Sequence, residues 1–464
     1  MMLRRWQKDC IEIALRHYES HSHFLCLATP GAGKSFFAAE LARHMIEYNQ
    51  IDLVLCFSPS TSIATGLRLT MEMRLGRSFD GRLGSVGASY TYQNMLFFNA
   101  KIWSLLKQYR VLVVFDEIHH CSGTKIDNAN AWGEKILLNI LDKATFTLAL
   151  TGTPWRSDKL PIVLSRYRKR DGRCHVDYKY GLLDAINDGV CRIPKICLIE
   201  NDCVSISSTD IKIKRFASLG ELFKSDCTSY TKLIRHDSAI RYMLKSATNR
   251  LKIIREQNVS AAGLVIAASV THAEEIAQIL SSEGQKVEIV SYYHPGSAGK
   301  IEKFRHDSTM WIVSVGMISE GTDIPRLQVC CYLSSIKTEL YFRQVLGRVL
   351  RRTASHNQEA WLYAFAEPSL VDYANRVEVD VPDEHIVVQD SSFQASELLP
   401  EICENNFDIY DVSDADEILL DIQDINKSQI DKNKFYMCNP FEETSYDFGT
   451  FRESVIATFN SPFT

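Results

Sequence analysis

The sequence predicts an α/β protein with two tandem parallel-sheet domains followed by an acidic C-terminal extension. Two stretches of the chain alternate short apolar, β-rich runs with helical patterns, as parallel sheets covered by helices do. The 464 residues are too many for one compact core. Charge also divides the chain, because residues 368–464 carry a net charge of −16 whereas residues 1–367 carry +11.

Composition narrows the class of protein. Hydrophobic residues make up 45% of the chain and charged residues 23%, which excludes a wholly disordered chain and a collagen. No apolar run reaches the roughly 18 residues that span a bilayer, and no apolar segment follows the basic start of the chain. We therefore expect neither a membrane protein nor a secretory signal. The 13 cysteines form no CxxC pair, which favours reduced thiols and a cytoplasmic protein.

The first domain is predicted over residues 1–190. Its strands are expected at residues 24–28, 53–58, 111–115 and 146–150. The run 111–115 is apolar throughout, which is typical of a strand covered on both faces. Residues 191–250 show no clear sheet pattern, so we predict a connector that carries helices.

The second domain is predicted over residues 251–367. Its strands are expected at residues 264–268, 287–291, 311–315, 329–333 and 361–365, and a helix is expected over 339–352. Residues 368–464 are the acidic extension. This segment retains apolar side chains, unlike a typical disordered chain, so we expect it to fold against the body or to bind a protein partner.

Residues 28–35 read Ala-Thr-Pro-Gly-Ala-Gly-Lys-Ser and stand between a predicted strand and a predicted helix. This context is that of a phosphate-binding loop, whose glycines let backbone N–H groups cradle phosphate oxygens. The lysine of such a loop reaches the β- and γ-phosphates of ATP, and the hydroxyl group ligates Mg²⁺. The predicted nucleotide-binding residues of the loop are Thr29, Gly31, Ala32, Gly33, Lys34 and Ser35.

An acidic pair follows the apolar run 111–115. Because a strand end projects its next residues over the sheet edge, Asp116 is predicted near the Mg²⁺ ion, directly or through water. Glu117 is then placed to polarise the attacking water. A solvated acidic turn is the alternative for this pair taken alone, and the phosphate-binding loop upstream favours the catalytic interpretation.

Gln344, Arg348 and Arg351 form the pattern Gln-x-x-Gly-Arg-x-x-Arg on the predicted helix 339–352. Arginines three residues apart share one helical face and can stabilise charge that develops on a phosphoryl group. Supplied by the second domain, they would make hydrolysis depend on domain closure. A basic surface helix is the alternative.

The order of these motifs resembles that of superfamily-two helicases and translocases, whose two lobes are RecA-like P-loop NTPase domains. The likeness covers about residues 3–367. Its Thr-Gly-Thr-Pro and Glu-Gly-Thr-Asp-Ile-Pro forms look closest to the group of restriction-enzyme motor subunits and bacterial repair and phage branch-migration helicases. The matched segments are the upstream Gln7, motif I at 28–35, Ia at 57–60, Thr-Tyr-Gln at 91–93, II at 116–119, III at 151–154, IV at 267–271, V at 320–325 and VI at 344–351.

The resemblance implies a role for each matched residue. Gln7 would read the adenine ring. Gly321 and Asp323 would lie near the nucleotide, with Asp323 contacting the ribose or the arginines. Gln344 would contact the γ-phosphate or the attacking water. The residues that would couple the phosphate state to movement of the domains are Thr151, Thr153 and His119.

Such motors hold phosphates more than bases, through hydroxyl groups and helix N-termini. Each candidate is equally well explained as an N-cap or turn residue. The candidate nucleic-acid contacts are Ser60, Thr61, Thr91, Gln93, Ser269, Thr271 and Thr322.

These observations predict an ATP- and Mg²⁺-dependent DNA helicase or double-strand DNA translocase. Single- or double-stranded DNA is the expected polymer partner. One alternative is a nucleic-acid-sensing ATPase switch that signals to a partner effector in DNA repair, restriction or phage defence. A second alternative is an RNA helicase. The acidic extension is expected to dock on a protein partner or to occlude a basic groove.

Overall fold

The computed structural model describes residues 2–208, 211–225, 228–294, 296–318, 322–353, 357–380, 445–457 and 459. The chain divides into two compact units. Unit 1 comprises residues 1–191 and 378–409, and unit 2 comprises residues 192–377 and 410–464. Each unit is described below by itself.

Unit 1 alternates strands and helices along most of its length. Its strands are β1 His23–Ala28, β2 Leu53–Ser58, β3 Gly87–Thr91, β4 Val111–Asp116, β5 Phe146–Thr151, β6 Arg166–Tyr167, β7 Cys174–His175 and β8 Tyr178–Tyr180. Its helices are α1 Arg5–His17, α2 Lys34–Glu47, α3 Thr61–Leu75, α4 Tyr92–Met95, α5 Ala100–Gln108, α6 Ala131–Asn139 and α7 Leu182–Asn187.

The described part of unit 1 contains one six-stranded sheet in the order β3-β2-β4-β5-β1-β8, and its neighbouring strands all run parallel. Every residue of β4 is buried, since helices cover the sheet. In a parallel sheet the carboxyl ends of the strands share one edge, where ligands usually bind. The phosphate-binding loop, the acidic pair and the Thr-Gly-Thr-Pro segment follow β1, β4 and β5, so the fold collects them at that edge.

Unit 2 also alternates strands and helices, and it has additional strands at one side of its sheet. Its strands are β9 Ile193–Asn201, β10 Val204–Ser208, β11 Ile211–Phe216, β12 Ala262–Ala267, β13 Val287–Ser291, β14 Trp311–Val315, β15 Leu327–Leu333, β16 Glu359–Phe365, β17 Ser445–Phe448 and β18 Phe451–Ala457. Its helices are α8 Leu219–Phe223, α9 Tyr230–Ile234, α10 Asp237–Gln257, α11 Val270–Ser282, α12 Ser297–His306, α13 Glu339–Val349 and α14 Pro368–Asn375.

The main sheet of unit 2, in its described part, has the order β13-β14-β12-β15-β16-β9-β18. Its strands run parallel except for β18, which pairs antiparallel with β9. Strands β10, β11 and β17 form a smaller antiparallel sheet. The prediction of two tandem parallel-sheet α/β domains is confirmed, and each of the nine predicted strands is present.

The predicted connector over residues 191–250 differs from the structure. Strand β9 lies within it and pairs with β16 in the main sheet of unit 2, so this segment is an integral part of that unit. Its apolar run, Ile196–Ile199, is short and is preceded by Pro194 and Lys195, which weakened the strand pattern. Helices α8, α9 and α10 do follow, as expected for that segment.

The described ends of the acidic extension also belong to folded units. Helix α14 and strands β17 and β18 belong to unit 2, and residues 378–380 belong to unit 1. The acidic run 411–417 and the apolar residues 418–420 lie outside the described residues, so docking of the extension on a partner stays a prediction. Within the described residues, no helix is long and apolar enough to cross a bilayer.

Candidate functional site

The phosphate-binding loop of unit 1 joins the end of β1 to the first residue of α2. Gly31 and Gly33 both have left-handed backbone angles, with φ of +82° and +94°. A Cβ atom on Gly33 would lie 3.0 Å from the side-chain amide nitrogen of Gln7. Because L-residues rarely adopt such angles, both glycines are needed for this loop. Helix α2 begins at Lys34 and directs its N-terminus, with its partial positive charge, toward the loop.

Side chains at the start of α1 donate hydrogen bonds to backbone carbonyl groups of the loop. The Gln7 amide donates to Gly33 O at 3.0 Å, and Trp6 Nε1 donates to Ala32 O at 3.2 Å. Arg4 Nη1 donates to Ala32 O at 2.6 Å and to Gly31 O at 3.2 Å. Sequence reasoning singled out Gln7 but missed Arg4 and Trp6, although both stand in the same turn. Adenine recognition by Gln7 stays a prediction.

Lys34 connects the phosphate-binding loop with the acidic pair. Its side chain is buried, and Nζ lies 3.0 Å from Glu117 Oε1. The same nitrogen donates to Ala28 O at 3.2 Å, at the end of β1. The structure therefore brings together the lysine and the glutamate that the sequence predicted at one site.

Asp116 ends β4 and is almost completely buried. Its backbone oxygen accepts a hydrogen bond from the Tyr92 hydroxyl at 2.8 Å, a contact that sequence reasoning missed. Its Oδ1 atom has no hydrogen-bond partner among the described residues. Burial, assisted by the charge of Glu117, raises the pKa of Asp116 to about 7.

These properties of Asp116 fit a Mg²⁺ ion. A buried carboxylate oxygen without a partner is costly, and a divalent cation would stabilise its ionised form. Ser35, the other predicted ligand, lies half-buried in the first turn of α2. Carboxylate and hydroxyl oxygens are ligands that Mg²⁺ accepts in nucleotide sites.

Glu117 has a strained backbone, with φ of +52° in the left-handed region. Such strain is typical of functional positions that the surrounding structure fixes. Its Oε2 accepts a hydrogen bond from Gly152 N at 3.2 Å. Burial alone would raise the pKa of Glu117, but the charges of Lys34 and His119 and these hydrogen bonds lower it to about 2. The carboxylate is therefore ionised at neutral pH.

The predicted coupling residues form one buried hydrogen-bonded group. His119 Nδ1 lies 2.9 Å from Thr151 Oγ1, 3.4 Å from Thr153 Oγ1 and 3.5 Å from Glu117 Oε2. Arg156 Nη1 donates to His119 O at 2.6 Å and was missed by sequence reasoning. A path of direct contacts thus runs from Glu117 to the segment that follows β5.

The described part of the Glu-Gly-Thr-Asp-Ile-Pro segment lies against the two predicted arginines within unit 2. Arg348 Nη1 donates to Thr322 O at 3.0 Å, and Arg351 forms an ion pair with Asp323. This is the arginine contact that was one of the two roles expected for Asp323. Gly321 lies outside the described residues.

The predicted helix over 339–352 is too long. Helix α13 ends at Val349, so Arg351 lies beyond it and does not share a helical face with Arg348. Arg351 instead forms an ion pair with Asp323. Gln344 lies half-buried within α13, as expected.

Several candidate nucleic-acid contacts are N-cap residues in the structure. Ser60 caps α3, Thr91 caps α4 and Ser269 caps α11. Thr61, Gln93 and Thr271 are exposed, whereas the Thr322 hydroxyl donates to Met317 O. A shallow pocket at the carboxyl edge of unit 1 is lined by residues that include Thr61, Arg68, Ser89 and Thr91. Contact of any of these residues with nucleic acid stays a prediction.

Comparison with known proteins identifies relatives of this chain. Residues 1–156 match the family described as "Type III restriction enzyme, res subunit". The chain is 30% identical over 393 residues to an uncharacterized protein of Mycobacterium tuberculosis strain H37Rv, covering 81% of this chain and 63% of the relative. An uncharacterized protein of Mycobacterium leprae is 30% identical over 392 residues, which cover 81% of this chain and 64% of that protein. The chain thus spans less than two thirds of these relatives.

A solved structure has a similar fold. It is a fragment assigned to the HsdR subunit of a type I restriction enzyme from Vibrio vulnificus, with a TM-score of 0.54 and 15% sequence identity. The similarity covers 82% of this chain and 67% of that one. At this identity the likeness concerns the fold alone.

Proposed function

We propose that the protein is an ATP-dependent DNA helicase or double-strand DNA translocase, and the match of residues 1–156 to the type III restriction enzyme res subunit family supports this proposal. The observation that carries the proposal is the convergence of Lys34, Asp116 and Glu117 at one sheet edge. Lys34 Nζ lies 3.0 Å from Glu117 Oε1, beside a loop whose backbone suits phosphate oxygens.

The proposed reaction is hydrolysis of the terminal phosphate of ATP. When ATP enters the loop, Lys34 exchanges its contact with Glu117 for phosphate oxygens. Glu117, released from the lysine, orients the attacking water and accepts its proton through the ionised carboxylate. A Mg²⁺ ion held by Ser35 and Asp116 would neutralise phosphate charge.

Unit 2 would complete the reaction in the ATP-bound state. Arg348 and Arg351 are proposed to stabilise the charge that develops on the transferred phosphoryl group, and Gln344 to contact the γ-phosphate or the water. Asp323 would hold Arg351 ready, as their ion pair suggests. Gly321 and Gln7 are proposed nucleotide contacts.

Coupling to movement is proposed to pass through His119, Thr151 and Thr153. Glu117 Oε2 lies in direct contact with His119 Nδ1 and with Gly152 N. A shift of Glu117 on ATP binding would change both contacts. Nucleic acid would lie along the exposed hydroxyl groups and N-caps at the carboxyl edges of both sheets. Within the described residues no cysteine forms a disulfide, which suits the proposed cytoplasmic location.

The test is steady-state ATP hydrolysis with no polymer, single-stranded DNA, duplex DNA, forked DNA or RNA. We expect DNA to stimulate hydrolysis, and Lys34→Ala to reduce it at least about 100-fold because the phosphate charge loses its direct partner. The exposed Lys8 provides the matched control, and Lys8→Ala should retain full activity.

The other outcomes separate the alternatives. Stimulation by DNA without displacement of a strand or movement along a duplex would favour the nucleic-acid-sensing switch. Stimulation by RNA alone would favour the RNA helicase. Full activity of Lys34→Ala would contradict the site itself.

A further inference from the structure

The main chain leaves unit 1 at Cys191 and enters unit 2 at Arg192, and both residues are buried. On the side of unit 1, Cys191 N donates to Ala185 O at 3.0 Å, just after α7. The Cys191 thiol lies 3.7 Å from Pro30 O, which belongs to the phosphate-binding loop. The last residue of the first unit is therefore in direct contact with the loop predicted to hold ATP.

Arg192 makes an extensive set of contacts on the side of unit 2. Nη1 donates to Leu327 O at 2.6 Å and to Val349 O at 3.1 Å. Nη2 donates to Pro325 O and to Thr353 Oγ1, each at 3.2 Å. The backbone nitrogen of Arg192 donates to Leu350 O at 2.7 Å.

These contacts join two segments of unit 2, one that carries Asp323 and one that carries Arg348 and Arg351. Pro325 stands two residues after Asp323, and Val349 and Leu350 fill the space in sequence between Arg348 and Arg351. The same segments are linked again by the ion pair of Asp323 with Arg351. Arg192 thus fixes the backbone on which all three charged side chains are mounted.

The burial of this arginine has an energetic cost that ordinary packing would avoid. Arg192 is completely buried, and its hydrogen-bond partners in the described part of the chain are neutral carbonyl and hydroxyl oxygens. A buried charge without a carboxylate is unfavourable. The carbonyl groups at the end of α13 offset part of the cost, because a helix C-terminus carries partial negative charge.

A second buried arginine in unit 2 shows what a purely structural role looks like. Arg326 binds Ser260 O, Phe304 O and Thr309 O, and it also has a carboxylate partner in Asp307. These partners lie on α12 and just before β12 and β14, outside the segments that bear Asp323, Arg348 and Arg351. Arg326 therefore provides a control matched in residue type and burial.

We propose that the Cys191–Arg192 pair links the phosphate-binding loop to the segments bearing Asp323, Arg348 and Arg351, and that Arg192 is the positioning residue for these groups. The inference rests on the proposed function, because it assigns these groups to ATP hydrolysis. Movement of the loop at Pro30 would pass through one peptide bond to the backbone that Arg192 holds. Arg192 itself does not touch the nucleotide.

The experiment compares Arg192→Gln, Arg192→Lys and Arg326→Gln in the full chain. For each variant, kcat and KM of DNA-stimulated ATP hydrolysis, affinity for ATP and melting temperature are measured. We expect Arg192→Gln to lower kcat about tenfold while ATP affinity changes little, because a positioning residue acts on the coupled step and not on nucleotide binding. Arg192→Lys should restore part of kcat, since lysine keeps the charge but serves fewer carbonyl groups.

The control separates positioning from stability. Arg326→Gln should lower the melting temperature but retain kcat at temperatures where it is folded. Unchanged kcat in Arg192→Gln, or an equal loss in Arg326→Gln, would overturn the proposal. If Arg192→Gln does not fold, Thr353→Val removes one acceptor of Arg192 only, and a kcat equal to that of the wild type would count against the proposal.

A second measurement keeps this inference distinct from the proposed function. If the wild-type chain hydrolyses no ATP with any polymer, the proposed function fails, and amide hydrogen exchange then tests Arg192 alone. Arg192→Gln should raise exchange in residues 322–327 and 349–353, whereas Arg326→Gln should raise it in 304–309. Equal protection of 322–327 and 349–353 in Arg192→Gln and the wild type would overturn the linkage.

Discussion

At the scale of single residues, the candidate site is defined by the pairing of charges that ATP would rearrange. Lys34 and Glu117 are in direct contact, so each neutralises the charge of the other. Asp116, one residue away, has a raised pKa because it is buried beside a second carboxylate. Neighbouring carboxylates with opposite pKa shifts are typical of sites where each has a separate task.

Replacement of Glu117 by glutamine tests this division of tasks. We expect Glu117→Gln to lower kcat about 10²- to 10⁴-fold, the usual contribution of a general base. ATP affinity should rise, because Lys34 loses the carboxylate that competes with phosphate for it. Equilibrium titration with a non-hydrolysable ATP analogue and steady-state kinetics measure the two effects.

The control for this prediction is Glu12→Gln, which alters an exposed carboxylate on α1. It should leave both quantities unchanged. Normal turnover in Glu117→Gln would show that another group activates the water.

At the scale of single elements, helix α11 contains a histidine that must stay neutral. His272 is buried, and its Nδ1 accepts a hydrogen bond from Ala268 N at 3.2 Å. Burial, assisted by the charge of Arg235, lowers the pKa of His272 from 6.5 to about 4. Nδ1 can accept this bond only in the unprotonated ring.

This shift predicts an acid-sensitive unit 2. Between pH 6.5 and 4 the unfolded chain binds a proton at His272 that the folded chain does not, so stability falls as the pH falls through this window. A shift of this size corresponds to as much as ~3 kcal/mol. In His272→Gln, whose side chain does not titrate, the free energy of unfolding should depend less on pH.

Denaturant unfolding at several pH values measures this dependence. The exposed His306 supplies the comparison, and His306→Gln should keep the pH slope of the wild type. An identical slope in His272→Gln and the wild type would contradict the assignment of the shift to His272.

At the scale of the whole molecule, both described ends of the acidic extension are integrated into the folded units. Within unit 1, Asp380 forms an ion pair with Lys179 at 2.7 Å. Within unit 2, β18 pairs with β9, and Phe451 stacks on Tyr242 with ring centroids 4.7 Å apart. The extension therefore has two roles to separate, that of its terminal strands and that of its acidic middle.

Two variants separate these roles. Removal of residues 445–464 should lower the melting temperature, because it strips β17 and β18 from β10 and β9 and leaves their backbone groups unpaired. Replacement of residues 385–440 by a Gly/Ser chain of equal length keeps both described ends and removes the acidic side chains between them. We expect the second variant to change DNA affinity or the binding of a protein partner.

Differential scanning calorimetry and DNA titration measure these outcomes. An unchanged melting temperature after removal of 445–464 would mean that the terminal strands contribute nothing to unit 2. Wild-type DNA affinity, ATP hydrolysis and partner binding in the Gly/Ser variant would exclude a regulatory or docking role for the acidic middle.

The sequence by itself determined the fold class and the components of the nucleotide site. The apolar run 111–115 could be recognised as a strand because a strand buried on both faces needs apolar side chains throughout. The phosphate-binding loop could be recognised from the sequence because Gly31 and Gly33 have left-handed backbone angles, which other residues rarely adopt. Residues 1–156 match the family described as "Type III restriction enzyme, res subunit", in line with the resemblance that these patterns indicated.

Only the tertiary structure decided which side chains support the site. Arg4, Arg156 and Arg192 act by donating to backbone carbonyl groups, and a carbonyl group leaves no trace in a sequence because every residue carries one. Arg351 lies beyond the end of α13 and forms an ion pair with Asp323, a contact between residues far apart in the sequence. The placement of β9 and β18 was likewise settled by long-range pairing with other strands, which local patterns do not encode.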